Sequence, residues 1–269
     1  MQVTYLGYPD TTGMTAMDCR LTDGHADPPG MTEHLYCEEL VRLPGCAWCY
    51  RPPEEAPAVG ELPAVVAGHV TFGSFHVIAK ITDAMLALWA RLLTKVPGSR
   101  LVPKNAALGE SSVCERVLGV LQKEGIAPER VELLGWTRTL AEHLGAFGAV
   151  DIALDTYPYH GTTTTCEALW MGVPVVTLAG GTHVSRVGAS LLKNAGLPEL
   201  IAAYADEYVE IAVKLAADIP RLSALRATLR ERMSGSVLVD ALRFARNMEE
   251  ACRKMWREWC AKERSEVRA

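Results

Sequence analysis

The stretch Asp155–Gly180, DTYPYHGTTTTCEALWMGVPVVTLAG, decides the fold. Its run GVPVVTL (172–178) is continuously apolar, as a parallel strand covered on both faces must be. Just before it, the threonines Thr162, Thr163, Thr164 and Thr165 follow Gly161 and open a helix. The first N–H groups of a helix lack intrahelical partners, and the helix dipole places partial positive charge on them. A phosphate is well held at such a place. Threonine is also an ordinary helix cap, and the run taken alone allows both readings. Glu167, placed in the first turn, is positioned to accept hydrogen bonds from sugar hydroxyls.

Outward from this block, strands and helices alternate. A strand is expected from His69 to Phe75, with FGSFHVIAK (72–80) carrying Lys80 just past its end. DAMLALWARLLTKV (83–96) has helical apolar spacing and stops at PGS, a helix-terminating sequence. SRLVPK (99–104), RVELLGW (130–136) and DIALDT (151–156) read as strands; SVCERVLGVLQKEG (112–125) and LAEHLGAFGAV (140–150) read as helices. Helices near 185–195 and 206–217 complete the series. Such alternation implies an α/β fold with a parallel sheet and helices on both faces. Ligands in these sheets bind beyond the carboxyl ends of the strands. No GxGxxG turn or GxxxxGK[ST] loop is present, which argues against a dehydrogenase or an ATPase.

Residues 1–50 read as strand and loop fragments, and RPPEEAPAVGELPAV (51–65) as an exposed proline-rich linker. VLVDALRFARNMEEACRKMWREWC (237–260) reads as a long amphipathic docking helix with Leu242, Met248, Met255, Trp256 and Trp259 as its apolar stripe. The expected units are 1–66, 67–240 and 241–269. Composition is that of a globular protein, 49% hydrophobic with a net charge of −5, and offers no basic stripe for nucleic acid. Apolar runs are too short to cross a bilayer. No charged-then-apolar leader precedes residue 1, so a cytoplasmic location and reduced thiols are expected. Cys46 and Cys49 form a CxxC without a second pair at zinc-ribbon distance, and a structural role is expected for both.

Taken together, QVTYLGYPDTTG (2–13), MDCRLTD (17–23), EELVRLPG (38–45), FGSF and KI within 72–81, DIALDTYPYHGTTTTCEALWMGVPVVTL (151–178), SRVGASLL (185–192) and MWREWC (255–260) resemble the catalytic region of the O-linked N-acetylglucosamine transferase / SPINDLY family. The resemblance implies a GT-B glycosyltransferase: a Rossmann-like C-terminal lobe with a parallel sheet, plus a remnant of the N-terminal lobe. It implies transfer of N-acetylglucosamine from UDP-GlcNAc to Ser or Thr of acceptor proteins, with inversion and without a metal or other cofactor. Lys80 resembles the lysine on the donor diphosphate, where its charge acts catalytically by offsetting the charge of the leaving group. Thr163 and Thr164, with Thr162 beside them, match donors to the phosphates. Glu167 matches an acidic residue holding the ribose, and His143 a histidine beside the base. Leu6, Gly7 and Pro9 match a loop lining the sugar pocket, with glycine allowing close backbone approach.

The family usually carries asparagines where this sequence has His76, Val77 and His160. Histidine still donates a hydrogen bond to a diphosphate; valine does not. Relatives carry earlier strands of the N-terminal lobe and tetratricopeptide helices, and no repeat of that kind is found in this sequence. Two other readings accompany the transferase: an inactive nucleotide-sugar-binding or interaction module, and a SPINDLY-like enzyme that uses GDP-fucose.

Overall fold

The computed structural model describes residues 1–266, with side chains to residue 261. Residues 267–269 of the C-terminal segment lie outside the described residues. The first lobe is a parallel sheet of β1 (Val3–Thr4), β2 (Cys19–Asp23) and β3 (Glu39–Leu43), in that order. β2 pairs with β3 in the register Cys19↔Glu39 through Asp23↔Leu43.

The second lobe begins at α1 (Pro63–Ala67) and runs β4 (Thr71–Ser74), α2 (Asp83–Lys95), β5 (Arg100–Pro103), α3 (Ser111–Lys123), α4 (Leu140–Gly145), β6 (Ile152–Leu154), α5 (Thr163–Trp170), β7 (Val175–Leu178), α6 (Val187–Asn194), β8 (Ile201–Ala202), α7 (Ala205–Ala217) and α8 (Ile219–Ser234). α9 (Ala241–Glu266) returns to the first lobe. The second sheet is parallel, in the order β5-β4-β6-β7-β8. Its order reverses between β4 and β6: the chain steps outward from β4 to β5, then crosses back to β6. In such sheets the two connections leave in opposite directions at the reversal and open a crevice at the carboxyl ends.

Local chemistry explains the elements. α2 starts where the Thr82 hydroxyl accepts the Met85 N–H at 3.2 Å. It buries Leu86, Trp89, Leu92 and Leu93 completely, each worth about 1.5–3 kcal/mol relative to exposure. It ends before Pro97 and Gly98, the latter at φ +80°, which glycine adopts without the Cβ penalty. α4 carries a capping box from Thr139 and Glu142. The Trp89 indole donates to the Tyr208 hydroxyl at 3.3 Å, and that hydroxyl donates to the Asp155 carbonyl at 3.0 Å. A buried chain from α2 through α7 thus fixes the end of β6.

Several expectations are corrected. Residues 130–136 form no continuous strand; they run beside β5 through the isolated bridges Leu101↔Val131 and Lys104↔Leu134, with Glu132 N donating to Leu101 O at 2.9 Å and Leu134 N to Pro103 O at 3.0 Å. None of 131–136 is fully buried. The proline-rich segment is not a solvated tether. Arg230 donates to Pro57 O at 2.7 Å, Arg226 donates to Gly60 O at 3.3 Å, and Leu62 is buried. α1 belongs to the second lobe, because the Asp151 carboxylate accepts the Ala64 N–H at 2.9 Å. That moves the lobe boundary ahead of residue 63. On α9, Phe244, Met248, Ala251 and Met255 pack onto Cys19, Leu21 and Leu43, whereas Leu242 and Trp256 are 74% and 53% exposed. Neighbours on a helix point about 100° apart, so Met255 and Trp256 cannot share the packing face. Trp256 stacks instead on Trp259, with ring centroids 5.3 Å apart. No helix among the described residues is long and apolar enough to cross a membrane.

Candidate functional site

At the crevice between β4 and β6, Asp155 follows β6 directly and is wholly buried. Its Oδ1 accepts the N–H groups of Thr156 at 2.9 Å and Gly161 at 2.8 Å, and its Oδ2 accepts the Thr177 hydroxyl at 2.7 Å. His76 Nε2 lies 3.3 Å from Oδ1. Its Nδ1 pairs with the Thr164 hydroxyl at 3.0 Å. Burial pushes the His76 pKa down to about 4, against the opposing pull of Asp155, so the ring is neutral. His160 is also fully buried. Its Nε2 donates to Leu178 O at 2.9 Å, and its Nδ1 accepts the Gly188 N–H at 3.0 Å. Burial lowers its pKa too, Asp155 opposing. The expectation that these two histidines replace amide donors to a diphosphate is corrected: both rings spend their nitrogens inside the protein.

This network sets the start of α5. Thr162 sits at the N-cap but makes no side-chain cap hydrogen bond, so the plain capping reading fails there. The first α5 backbone bond runs from Cys166 N to Thr162 O at 3.1 Å, leaving the N–H groups of the preceding threonines at the free helix end. Thr162 and Thr163 line a cavity of about 520 Å³ between the lobes. The Thr164 hydroxyl is committed to His76, so at most its backbone N–H faces a ligand. Glu167 lies one turn further in than expected, at the fifth residue of α5.

Leu6, Gly7 and Pro9 line the same cavity, with Arg20 and Trp48. A Cβ at Gly7 would meet nothing within 4 Å, and the positive φ, +64°, belongs to Leu6. Gly7 N donates to Tyr5 O at 2.7 Å across it, a tight three-residue turn that costs a leucine about 1–3 kcal/mol. Arg20, buried, holds this loop by donating to Tyr8 O and Asp10 O, both at 2.8 Å.

Lys80 lies in a 3-10 turn (Ile78–Lys80), six residues past β4. Its Nζ donates to His160 O at 2.8 Å and sits 3.7 Å from the ring centroid of Tyr159, a cavity-lining residue. His143 and Glu167 meet, with Nε2 to Oε2 at 3.2 Å. Lys104 Nζ donates to His143 Nδ1 at 2.9 Å, which fixes the ring proton on Nε2. His143 also packs beside Phe75, centroids 6.0 Å apart. The candidate residues thus form two groups joined by α5: the cavity group of Leu6, Gly7, Pro9, Thr162 and Thr163, and the Lys104–His143–Glu167 row. Lys80 reaches the first group through Tyr159, while the Thr164 hydroxyl is turned to His76.

Lys104, Asp155 and His183 were missed from the sequence. Each follows β5, β6 or β7 at its carboxyl end, so the rule that singled out the threonines, applied to every strand, would have marked them. The CxxC shows no activated thiol: burial pushes Cys46 up to about 12. Among the described residues no cluster of His, Cys, Asp and Glu has metal-holding geometry.

The model of glycosyl transferase family 41 matches residues 62–248. Over 260 residues the chain is 50% identical to the probable UDP-N-acetylglucosamine–peptide N-acetylglucosaminyltransferase SPINDLY of Petunia hybrida, covering 97% of this chain and 28% of that protein. The SEC protein of Arabidopsis thaliana, whose name carries the same activity, is 31% identical over 272 residues, covering 97% of this chain and 27% of that one. A mutant O-GlcNAc transferase from Thermobaculum terrenum superposes with a TM-score of 0.90 at 38% identity, covering 98% of this chain and 49% of that one. A sucrose-phosphate synthase from Thermosynechococcus elongatus shares the fold alone, with a TM-score of 0.62 at 16% identity over 90% of this chain and 59% of that one. The architecture is that of GT-B glycosyltransferases.

Proposed function

The chain belongs to glycosyl transferase family 41, and from that premise we propose that it is the donor-binding part of an inverting transferase that moves N-acetylglucosamine from UDP-GlcNAc to Ser or Thr hydroxyls of proteins. The observation that carries the reading is the uncapped start of α5, opening on the interlobe cavity with Lys80 close behind Tyr159. Free N–H groups, the Thr162 and Thr163 hydroxyls and one ammonium suit a diphosphate. They offset the charge that develops as the glycosidic bond breaks, so the reading invokes no metal. Glu167 keeps Oε1 for the ribose hydroxyls while Oε2 holds His143, and His143 faces the base from a ring position that Lys104 fixes. The loop of residues 5–9 and Arg20 wall the sugar end.

The chain spans about 28% of the length of the plant relatives it matches. Calorimetric titration with UDP, UDP-GlcNAc, GDP and GDP-fucose, followed by a transfer assay on a Ser/Thr peptide, tests the reading. Binding of UDP-GlcNAc with transfer supports it. Preference for GDP-fucose moves the donor assignment, binding without transfer leaves a nucleotide-sugar-binding module, and no binding of any nucleotide sinks the donor site.

A further inference from the structure

One polar pair on the cavity wall has no part in donor binding. Asp27, in the loop after β2, is wholly buried, and His183, in the turn after β7, is 5% exposed. Asp27 Oδ2 lies 2.6 Å from His183 Nδ1, so each lobe supplies one half of the pair. Asp27 also accepts from the Thr22 hydroxyl. Burial would push its carboxyl up, but the hydrogen bonds from His183 and the Thr22 hydroxyl hold it below the usual range. The ionised carboxylate accepts the Nδ1–H, and in the neutral imidazole that leaves the lone pair on Nε2. That nitrogen has no partner among the described residues, and the ring lines the cavity beside Trp48, centroids 5.7 Å apart. Two neighbouring bonds also join the lobes, Arg186 Nε to His25 O at 3.1 Å and Ser190 Oγ to Asp23 Oδ2 at 2.7 Å. A mere strut is thus already supplied twice, and neither of those bonds presents a proton acceptor to the cavity.

Building on the donor reading above, we propose that His183 is the general base that deprotonates the acceptor hydroxyl, with Asp27 orienting it. An imidazole held by a buried carboxylate, its other nitrogen free in a cleft, is the arrangement that takes a proton from an attacking hydroxyl. The acceptor oxygen forms the new bond to the anomeric carbon as the bond from that carbon to the phosphate oxygen breaks. The diphosphate leaves with the electron pair. The hydroxyl proton moves to His183 Nε2, the imidazolium is stabilised by Asp27, and the proton then passes to solvent. Because the pair spans both lobes, the base is assembled only when they are closed on each other.

The test uses the chain with His183→Asn, His183→Ala and Asp27→Asn. Asparagine at 183 places an amide N–H where Nδ1–H lies, so it keeps the bond to Asp27 and removes the proton acceptor. UDP affinity by calorimetry is expected to stay within about threefold of the parent, since the pair does not touch the donor-binding groups. Turnover, read both as transfer to a peptide hydroxyl and as hydrolysis of the donor by water, is expected to fall by about 10²–10⁴-fold in His183→Asn. Free imidazole is expected to restore part of it in His183→Ala. Turnover of His183→Asn within about threefold of the parent overturns the assignment, as does failure of imidazole to rescue. A parent chain that binds UDP-GlcNAc but transfers to neither hydroxyl nor water also overturns it, leaving a strut. A parent chain that binds no nucleotide sinks the donor reading first and is told apart by the titration.

Discussion

Replacing Asp155 tests whether one buried carboxylate organises the phosphate-facing end of α5. In Asp155→Ala the N–H groups of Thr156 and Gly161 lose their acceptor, and His76 loses the carboxylate 3.3 Å from its Nε2. The Thr177 hydroxyl keeps only a shared contact with His160 Nδ1, 3.3 Å away, which already accepts from the Gly188 N–H. Two orphaned buried donors at about 1–3 kcal/mol each come to roughly 2–6 kcal/mol, a large part of the whole stability of a domain. Asp155→Asn behaves differently. With its oxygen in the Oδ1 position it still accepts from Thr156 and Gly161, while its amide faces Thr177 Oγ1, which is able to accept. The remaining loss is that of charge assistance, about 1–2 kcal/mol, which for a chain of this size lowers Tm by about 2–8 °C. Differential scanning fluorimetry and UDP titration of both variants read the two effects. The alanine variant is expected to unfold or to lose UDP binding, and the asparagine variant to fold with slightly weakened binding. If alanine costs no more than asparagine, the carboxylate is not the anchor described and the reasoning fails.

Four further outcomes follow from the same geometry. Lys80→Met should weaken UDP binding by about 10- to 100-fold, the worth of one charge-assisted contact, with a flatter salt dependence; equal affinity by calorimetry would remove Lys80 from the donor site. Thr164→Val should lower UDP affinity by less than about threefold and Thr163→Val by more, since only the Thr164 hydroxyl is engaged with His76; the reverse ranking would mean that the Thr164 hydroxyl turns to the phosphate. Gly188→Ala sets a Cβ on Asp155 Oδ2 and 2.5 Å from Thr177 Oγ1, an overpacking expected to cost about 1–3 kcal/mol, measured by chemical denaturation. His76 takes up its proton near pH 4 in the folded chain against 6.5 in the unfolded one. The unfolded state therefore binds more protons between those values, and stability falls as pH drops through the window, by roughly 3 kcal/mol. Tm against pH should be flatter for His76→Asn than for the parent, and identical slopes would contradict the buried neutral ring.

The alternating apolar pattern made the second lobe legible because each of its strands is flanked by a helix with its own stop or cap, as at Thr82 and Pro97. The 130–136 segment misled because its apolar residues do pack on the core, yet its pairing with β5 stops at isolated bridges, and period alone does not distinguish the two. α8 went unread: Leu222, Leu225, Leu229 and Met233 are buried, but they lie among arginines whose guanidinium groups turn inward to carbonyls, as Arg226 does to Val150 O at 2.7 Å. A charged residue that satisfies buried backbone looks like surface in a sequence. The site was legible where one segment holds several partners, as around the threonines. It was not legible where partners are far apart, as with Asp27 and His183, separated by 156 positions.

The departures at His76 and His160 acquire a different meaning in this light. An asparagine side chain offers one donating and one accepting end; a neutral imidazole offers the same pair from its two nitrogens. His76 turns Nε2 to Asp155 at 3.3 Å and pairs Nδ1 with the Thr164 hydroxyl, and His160 donates to Leu178 O and accepts from Gly188. Both rings therefore do what an amide would do at a buried node, and neither is needed as a ligand to a phosphate. The equivalence holds only while the rings stay neutral, since an imidazolium would present a second donor to a partner that already donates. At Thr164 a hydroxyl could turn its lone pair away from the added proton; at Gly188 a fixed backbone N–H could not. The replacement thus leaves the crevice chemically intact at neutral pH and ties its order, through two buried rings, to the absence of a proton.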